Sequence, residues 1–308
     1  MRKMILAGAA VLAVAAACAE TTMPVETADA VVMTSEVDRG ALVAVVDAQP
    51  EETKARYQYR NPVETLEFIG IAPGMTVVDV LPGAEAKGWY TPILAGYLGA
   101  NGADGKLIGV DYAPTMWSNF GFATPEFIEG KKTWATEWVA GADAREAAGD
   151  FGDVDVDYAA TTFGALDGMR GQADAVLFMR AMHNLSRFNA DGGFMDQALA
   201  DTYNVLKPGG IVGVVQHRAP ADSDDAWATG ENGYLKQQAV IDAFQAAGFE
   251  FVGSSEVNAN PLDKPTSEDI VWRLPPSLGT SREDPELRTA MQAIGESDRM
   301  TLKFRKPG

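Results

Sequence analysis

The chain has 308 residues, 46% of them apolar, enough for one large globular domain or two small ones with an ample core. Its 43 acids against 25 bases give a formal net charge of -18, and such a surface repels phosphate backbones, which argues against nucleic acid as a partner. The one cysteine, Cys18, excludes an intrachain disulfide.

The N-terminus reads as a targeting segment. Arg2 and Lys3 form a basic start, Met4 to Ala17 is an apolar run too short to span a bilayer, and Ala15-Ala16-Ala17 lead into Cys18. This order predicts a secretory signal peptide over residues 1–18. Cys18 stands where a bacterial lipoprotein signal carries its lipidated cysteine, although Ala15 holds a place where leucine is commoner. Plain cleavage nearby, releasing a soluble periplasmic protein, is the other reading. The expected location is therefore outside the cytoplasm, in the periplasm or at a membrane, with membrane contact only through the lipid. Residues 19–48 read as a tether, rich in Thr, Ala, Val and acids up to Asp38.

Residues 49–308 form the expected body. Pro50-Glu51-Glu52 starts a helix that Asn61-Pro62 interrupts, and a second helix runs from Val63 to Gly70. Met75 to Val80 is a short strand that carries Asp79. A loop with Gly83 and Gly88 follows, then a helix from Tyr90 to Leu98, a second strand from Lys106 to Val110, and Asp111 with Tyr112. This is the order of a nucleotide-binding βαβ unit. Glycines let a ligand approach the backbone, and the acid after the second strand accepts hydrogen bonds from a ribose diol. An ordinary βαβ turn would use the same glycines for tight geometry.

The aromatics between Trp117 and Trp138 read as core. Val154 to Thr162 is a third strand, and Ala173 to Met179 is a fourth whose continuous apolar run predicts burial on both faces. Phe194 to Leu206 is helical, Lys207-Pro208-Gly209-Gly210 a tight turn, and Ile211 to Gln216 a fifth strand. A helix from Leu235 to Ala247 precedes a sixth strand, Phe249 to Val257. Residues 258–299 form a long, proline-bearing insertion with one helix. Met300 to Arg305 alternates apolar and polar residues, as a strand at a sheet edge does. Strands alternating with helices predict an α/β, Rossmann-like, doubly wound sheet of seven mostly parallel strands covered on both faces.

Both histidines, His183 and His217, fall just past strand ends, so they share one rim of a parallel sheet. Histidine suits proton transfer near neutral pH, and a hydrogen bond to a loop carbonyl is the plainer role. Two histidines are too few for the usual zinc sites, so no metal is expected. Arg180 and Arg218 lie near the same rim, as holders of an anionic substrate or as surface ion pairs.

Taken together, these segments resemble a class I S-adenosylmethionine-dependent methyltransferase over roughly residues 50–219. The resemblance rests on Val77-Val78-Asp79 with Gly83 and Gly88, on Asp111, on Ala173 to Leu177, and on Leu206-Lys207-Pro208-Gly209-Gly210 before an apolar strand. More narrowly, Gly88-Trp89-Tyr90-Thr91, His183-Asn184, His217-Arg218 and Asp298 to Phe304 resemble a group of exported bacterial predicted methyltransferases. The first loop is longer than the family's compact glycine loop, and the third strand ends in Thr161-Thr162-Phe163 without an acid. The resemblance implies S-adenosyl-L-methionine as cofactor and a small molecule as methyl acceptor. It places Asp79, Gly83, Gly88, Tyr90, Asp111 and Tyr112 around the cofactor and His183 and His217 near the chemistry. Two other readings stay open: a non-catalytic exported protein that binds a nucleoside or other small molecule, and a nicotinamide-dependent oxidoreductase. The spacing of the glycines is unlike the compact dinucleotide fingerprint, which counts against the last.

Overall fold

The structure is a computed structural model and describes residues 36–308. The signal peptide, Cys18 and the first half of the tether lie outside the described residues. Seven apolar runs become the strands β1 (Thr76–Val80), β2 (Gly105–Asp111), β3 (Val156–Thr162), β4 (Ala173–Met179), β5 (Leu206–His217), β6 (Glu250–Ser255) and β7 (Arg299–Arg305). They form one sheet in the order β3-β2-β1-β4-β5-β7-β6. β1 to β5 pair in parallel, whereas β7 runs antiparallel to both β5 and β6, so the sheet is mixed.

The alternation of side chains along each strand sorts the core into two faces. On one face Val77, Leu107, Ala175 and Leu177 meet α1 (Arg39–Asp47), α4 (Pro62–Ile69), α5 (Thr91–Leu98) and α7 (Trp134–Ala147). Two short helices, α2 (Glu51–Lys54) and α3 (Tyr57–Arg60), lead into α4, and α6 (Pro125–Gly130) precedes α7. On the other face Val78, Ile108, Val176 and Phe178 meet α8 (Met182–Arg187), α10 (Phe194–Val205) and α11 (Gln237–Ala246). A single turn, α9 (Asn189–Gly192), links α8 to α10, and α12 (Pro285–Ile294) lies in the insertion. β4 contributes to both faces, as its apolar run from Ala175 to Met179 predicts.

Three expectations need correction. The tether does not extend to residue 48: Asp38 caps α1, whose Leu42 and Val46 are buried against the body. Lys207 to Gly210 does not interrupt the sheet as a separate turn. It is an irregular stretch inside β5, where Leu206 pairs with Ala173 and Ile211 already pairs with Ala175. β7 is not an edge strand; it lies between β5 and β6. Its polar residues misled because they find partners inside: Thr301 Oγ1 accepts from Asn258, and the Lys303 ammonium reaches the Phe68 carbonyl.

The connection from β1 passes to β2 on one side and that from β4 to β5 on the other. A crevice opens at such a reversal, outside the carboxyl ends of the strands. The insertion turns back towards this rim, bringing residues 263 and 296–299 beside the end of β5.

Candidate functional site

The residues that leave β1 and β4 are conformationally unusual. Leu81 and Arg180 take φ of 60° and 63°, a left-handed conformation that costs a side-chain-bearing residue roughly 1–2 kcal/mol. Each donates its backbone N–H across to the neighbouring strand, Leu81 to the Val110 carbonyl at 2.8 Å and Arg180 to the Val215 carbonyl at 2.7 Å. Glu85 and Ala86, in the loop after β1, are also left-handed at 49° and 53°. Backbone strain of this kind gathers at sites where the chain does something other than fold.

The loop itself is tightly closed. A Cβ at Gly88 would fall 2.2 Å from the Pro82 carbonyl oxygen, so this glycine makes room for the loop's own backbone. The carbonyl of Gly83 (φ 82°) accepts the Trp134 indole N–H at 3.1 Å, and Arg145 donates to the Ala86 carbonyl at 2.5 Å. Helix α7 thus lies over the loop, meeting it closely at Gly141. A cavity of about 690 Å³ opens beside this loop between Lys87, Trp89 and Arg145, and neither Asp79 nor Asp111 lines it.

Asp79, near the end of β1, is 3% exposed and makes a single long side-chain hydrogen bond among the described residues, accepting the Thr91 hydroxyl at 3.4 Å. Burial pushes its carboxyl up to about 7, and the Thr91 bond offsets only part of that rise. Asp111, at the end of β2, is buried too, yet well satisfied. One oxygen accepts its neighbour Tyr112's N–H and the other accepts the Lys131 ammonium, both at 2.8 Å. Burial still outweighs the ammonium and holds this carboxyl above its ordinary value. Lys131 follows α6 and stands 3.9 Å over the Trp117 ring, which favours a cation there. Tyr112 is fully buried, and its hydroxyl crosses the end of β1 to donate to the Ala181 carbonyl at 2.7 Å.

A second group of side chains gathers at the ends of β4 and β5. The His183 and His217 rings lie 5.6 Å apart, both buried, so the structure brings the two histidines together. His217 Nδ1 is 2.5 Å from the Ser297 hydroxyl, and His183 Nδ1 is 3.5 Å from the Gln216 amide. Burial lowers His183 to about 4 and His217 well below its ordinary value, with nearby arginines adding to both shifts. Both imidazoles are therefore neutral at pH 7. Tyr90 opens towards the same region, its hydroxyl donating to the Arg60 carbonyl at 3.2 Å.

Around them stand four arginines. Arg56, Arg60 and Arg299 all converge on the buried Glu296, which they hold down at about 2 despite its burial. Arg180 makes no side-chain hydrogen bond or ion pair among the described residues. Arg218, by contrast, is tied to Asp298 and Glu256, the surface ion-pair reading of that residue. Asp174 is also structural: it accepts the Thr76 N–H at 2.8 Å and pairs with Lys207.

Of the residues named from the sequence, Tyr90, Arg180, His183 and His217 gather at the β4–β5 end of the rim, and Asp79 is joined to them through Thr91, the residue after Tyr90. Asp111 and Tyr112 lie at its other end, committed to partners inside the fold. Lys131, Arg60, Glu296, Arg299 and Ser297 were not picked out. They come from distant segments whose local patterns carry no ligand motif, and only the Asp298 to Phe304 stretch hinted at one of them.

No protein-family model matches the sequence, and no curated protein is similar to it. Solved structures with similar chain traces include a SAM-dependent methyltransferase from Aquifex aeolicus, 17% identical, covering 72% of this chain and 94% of that one at a TM-score of 0.44. A second is the 1,6-didemethyltoxoflavin-N1-methyltransferase of Burkholderia thailandensis, solved with bound S-adenosylhomocysteine. It is 15% identical and covers 88% of this chain and 87% of that one, with a TM-score of 0.41. A third is the cyclase SpnF, 18% identical, covering 83% and 80% at a TM-score of 0.45.

The residues of the crevice can be tested against an S-adenosyl cofactor directly. The buried carboxyl of Asp79 lacks a strong donor, as a partner for a ligand ammonium would, and Asp111 has the chemistry for a ribose diol. The donor set fits. Asp111 presents this chemistry beside Lys131, which already holds one of its oxygens.

Proposed function

We propose that this chain is an S-adenosylmethionine-dependent methyltransferase acting on a small molecule. The observation that carries the reading is Asp79: a carboxyl sealed at the switch point of the sheet, raised to about 7, with one 3.4 Å hydrogen bond to its name. A buried carboxyl so poorly satisfied is costly, and a ligand ammonium placed on it relieves that cost. The cofactor, when bound, supplies an electrophilic methyl group. Asp79 holds its ammonium, and Asp111 accepts from its ribose once the Lys131 ammonium has moved off. The acceptor approaches from the β4–β5 side, where His183 and His217 lie 5.6 Å apart and are both neutral.

Calorimetry of the full chain with S-adenosylmethionine and S-adenosylhomocysteine tests the reading. Saturable binding that disappears in Asp79→Asn, with the variant still folded, supports it. A folded wild-type protein silent towards both compounds refutes it.

The Asp111–Lys131 ion pair favours a second reading, a non-catalytic exported protein that binds a small molecule or nucleoside in the same crevice. Tight binding of S-adenosylhomocysteine without turnover on a broad panel of acceptors would select it. Export and a lipid at Cys18 are proposals of their own. A Cys18→Ser protein that leaves the membrane fraction supports lipidation, and one that stays there refutes it.

A further inference from the structure

We propose that Arg180, flanked by Arg60 and Arg299, is the receptor for a compact oxyanion, a carboxylate or phosphate group carried by the methyl acceptor. This deepens the reading above and rests on it only in naming the acceptor as the source of the anion.

The charge balance carries the inference. Three guanidiniums, those of Arg56, Arg60 and Arg299, share one carboxylate, Glu296, and Arg180 stands in the field of the same cluster without a bond to it. Arg60 is 4% exposed, Arg299 2% and Glu296 1%, so most of this charge lies away from water. The two histidines among them are neutral and offset nothing. Arg60 and Arg299 are anchored to Glu296, but Arg180 is left over. Burial and the two neighbouring guanidiniums lower it to about 9, the direction expected of a cation that lacks its counterion. Folded proteins do not ordinarily hold such an excess of one sign without something to balance it.

Arg180 is also aimed by its backbone. It is the first residue past β4, turned out of the sheet by its left-handed φ of 63°, with its own N–H fixed on the Val215 carbonyl. By surface area Arg180 is intermediate, less covered than Arg60 and Arg299. A guanidinium presents two parallel N–H donors that match a carboxylate or phosphate edge, which a lysine in the same place would not. On a protein of net charge -18 a positive pocket of this kind is local and specific, since the surface at large repels anions. An acceptor held here by its anionic group would lie beside His183 and His217 and across from Asp79.

The test uses the full chain without cofactor. Malonate and inorganic phosphate are titrated by calorimetry and thermal shift, with ionic strength held constant by chloride. The wild-type protein should bind at least one of them saturably. Arg180→Gln should weaken that binding by roughly tenfold or more, the loss expected for a charge-assisted pair, and Arg180→Lys should fall between. Arg180→Gln should melt no lower than wild type, because the guanidinium has no partner to lose among the described residues. Arg218→Gln, whose guanidinium already has two carboxylates, should bind malonate as wild type does. Failure of the wild type to bind either anion, unchanged affinity in Arg180→Gln, or an equal loss in Arg218→Gln overturns the proposal. A last arm separates the source of the anion. Malonate that binds together with S-adenosylhomocysteine assigns the site to the acceptor; malonate displaced by it assigns the arginine to the cofactor's own carboxylate and overturns the proposal. Because the malonate arms need no cofactor, they stand even if S-adenosylhomocysteine does not bind.

Discussion

The two ends of the crevice differ in how their charges are satisfied. At the β2 end Asp111 has both oxygens taken, one by a backbone N–H and one by Lys131, and an aromatic ring backs the ammonium. At the β4 end Arg180 has no side-chain partner and Asp79 one long bond among the described residues, and three guanidiniums crowd one carboxylate. Asp79 and Asp111 are both buried, so exposure does not separate the two carboxyls. The contrast shows which groups the fold has used for itself and which it has left available, and the second kind is the better guide to a ligand.

The sharpest way to break this contrast is Glu296. Removing the one carboxylate that Arg56, Arg60 and Arg299 share leaves buried cations uncompensated, and Glu296→Gln should cost about 3–5 kcal/mol in chemical denaturation. The same carboxyl sets an acid limit. Its folded value is depressed to about 2 from 4.5, so its contribution is present above pH 4.5 and is lost as pH falls towards 2. A variant as stable as wild type at pH 7 would show that the cluster does not depend on its acid.

Asp79→Asn should act in the opposite sense. A carboxyl raised from 3.8 to about 7 on folding is ionised in the unfolded chain while still protonated in the native one, so stability falls as pH rises between those values. The amide removes that loss. Denaturation curves should show Asp79→Asn level with wild type near pH 4 and more stable by pH 8, by on the order of 4 kcal/mol. A constant difference across that range would contradict the assignment. Binding of a cationic ligand should also strengthen from pH 6 to pH 8, with proton release that calorimetry in two buffers would detect.

Lys131→Gln should give a smaller, two-sided effect. It loses a buried charge-assisted bond, roughly 1–3 kcal/mol of stability, and frees one oxygen of Asp111. S-adenosylhomocysteine should then bind several-fold more tightly to a less stable protein. Weaker binding would mean that Lys131 holds the ligand itself. The smallest effect is expected at the sheet edge, where the Arg305–Glu250 pair is exposed and Glu250→Ala should change stability by less than about 0.5 kcal/mol.

Much of this architecture was legible in the sequence because it is set locally. The run Ala173 to Met179 is apolar apart from Asp174, and it forms a strand with those same bounds. Asp79, Asp111 and the histidines were placed at strand ends by counting along apolar runs, and they lie there. What was not legible is set by partners far apart in the chain. Lys131 sits 20 residues beyond Asp111, and no local pattern says that it folds back. Glu296 meets Arg60 across 236 residues, inside an insertion that read as loop. β7 looked like an edge because Thr301 and Lys303 alternate with apolar neighbours, and only Asn258 and the Phe68 carbonyl explain why polar side chains are tolerated there.

The most direct measurement is a crystal structure of the full chain with S-adenosylhomocysteine. The account predicts the ligand's ammonium on Asp79 and its ribose hydroxyls on Asp111, with the Lys131 ammonium swung away. A ligand bound elsewhere, with the Asp111–Lys131 pair intact and Asp79 still facing Thr91 alone, would contradict it.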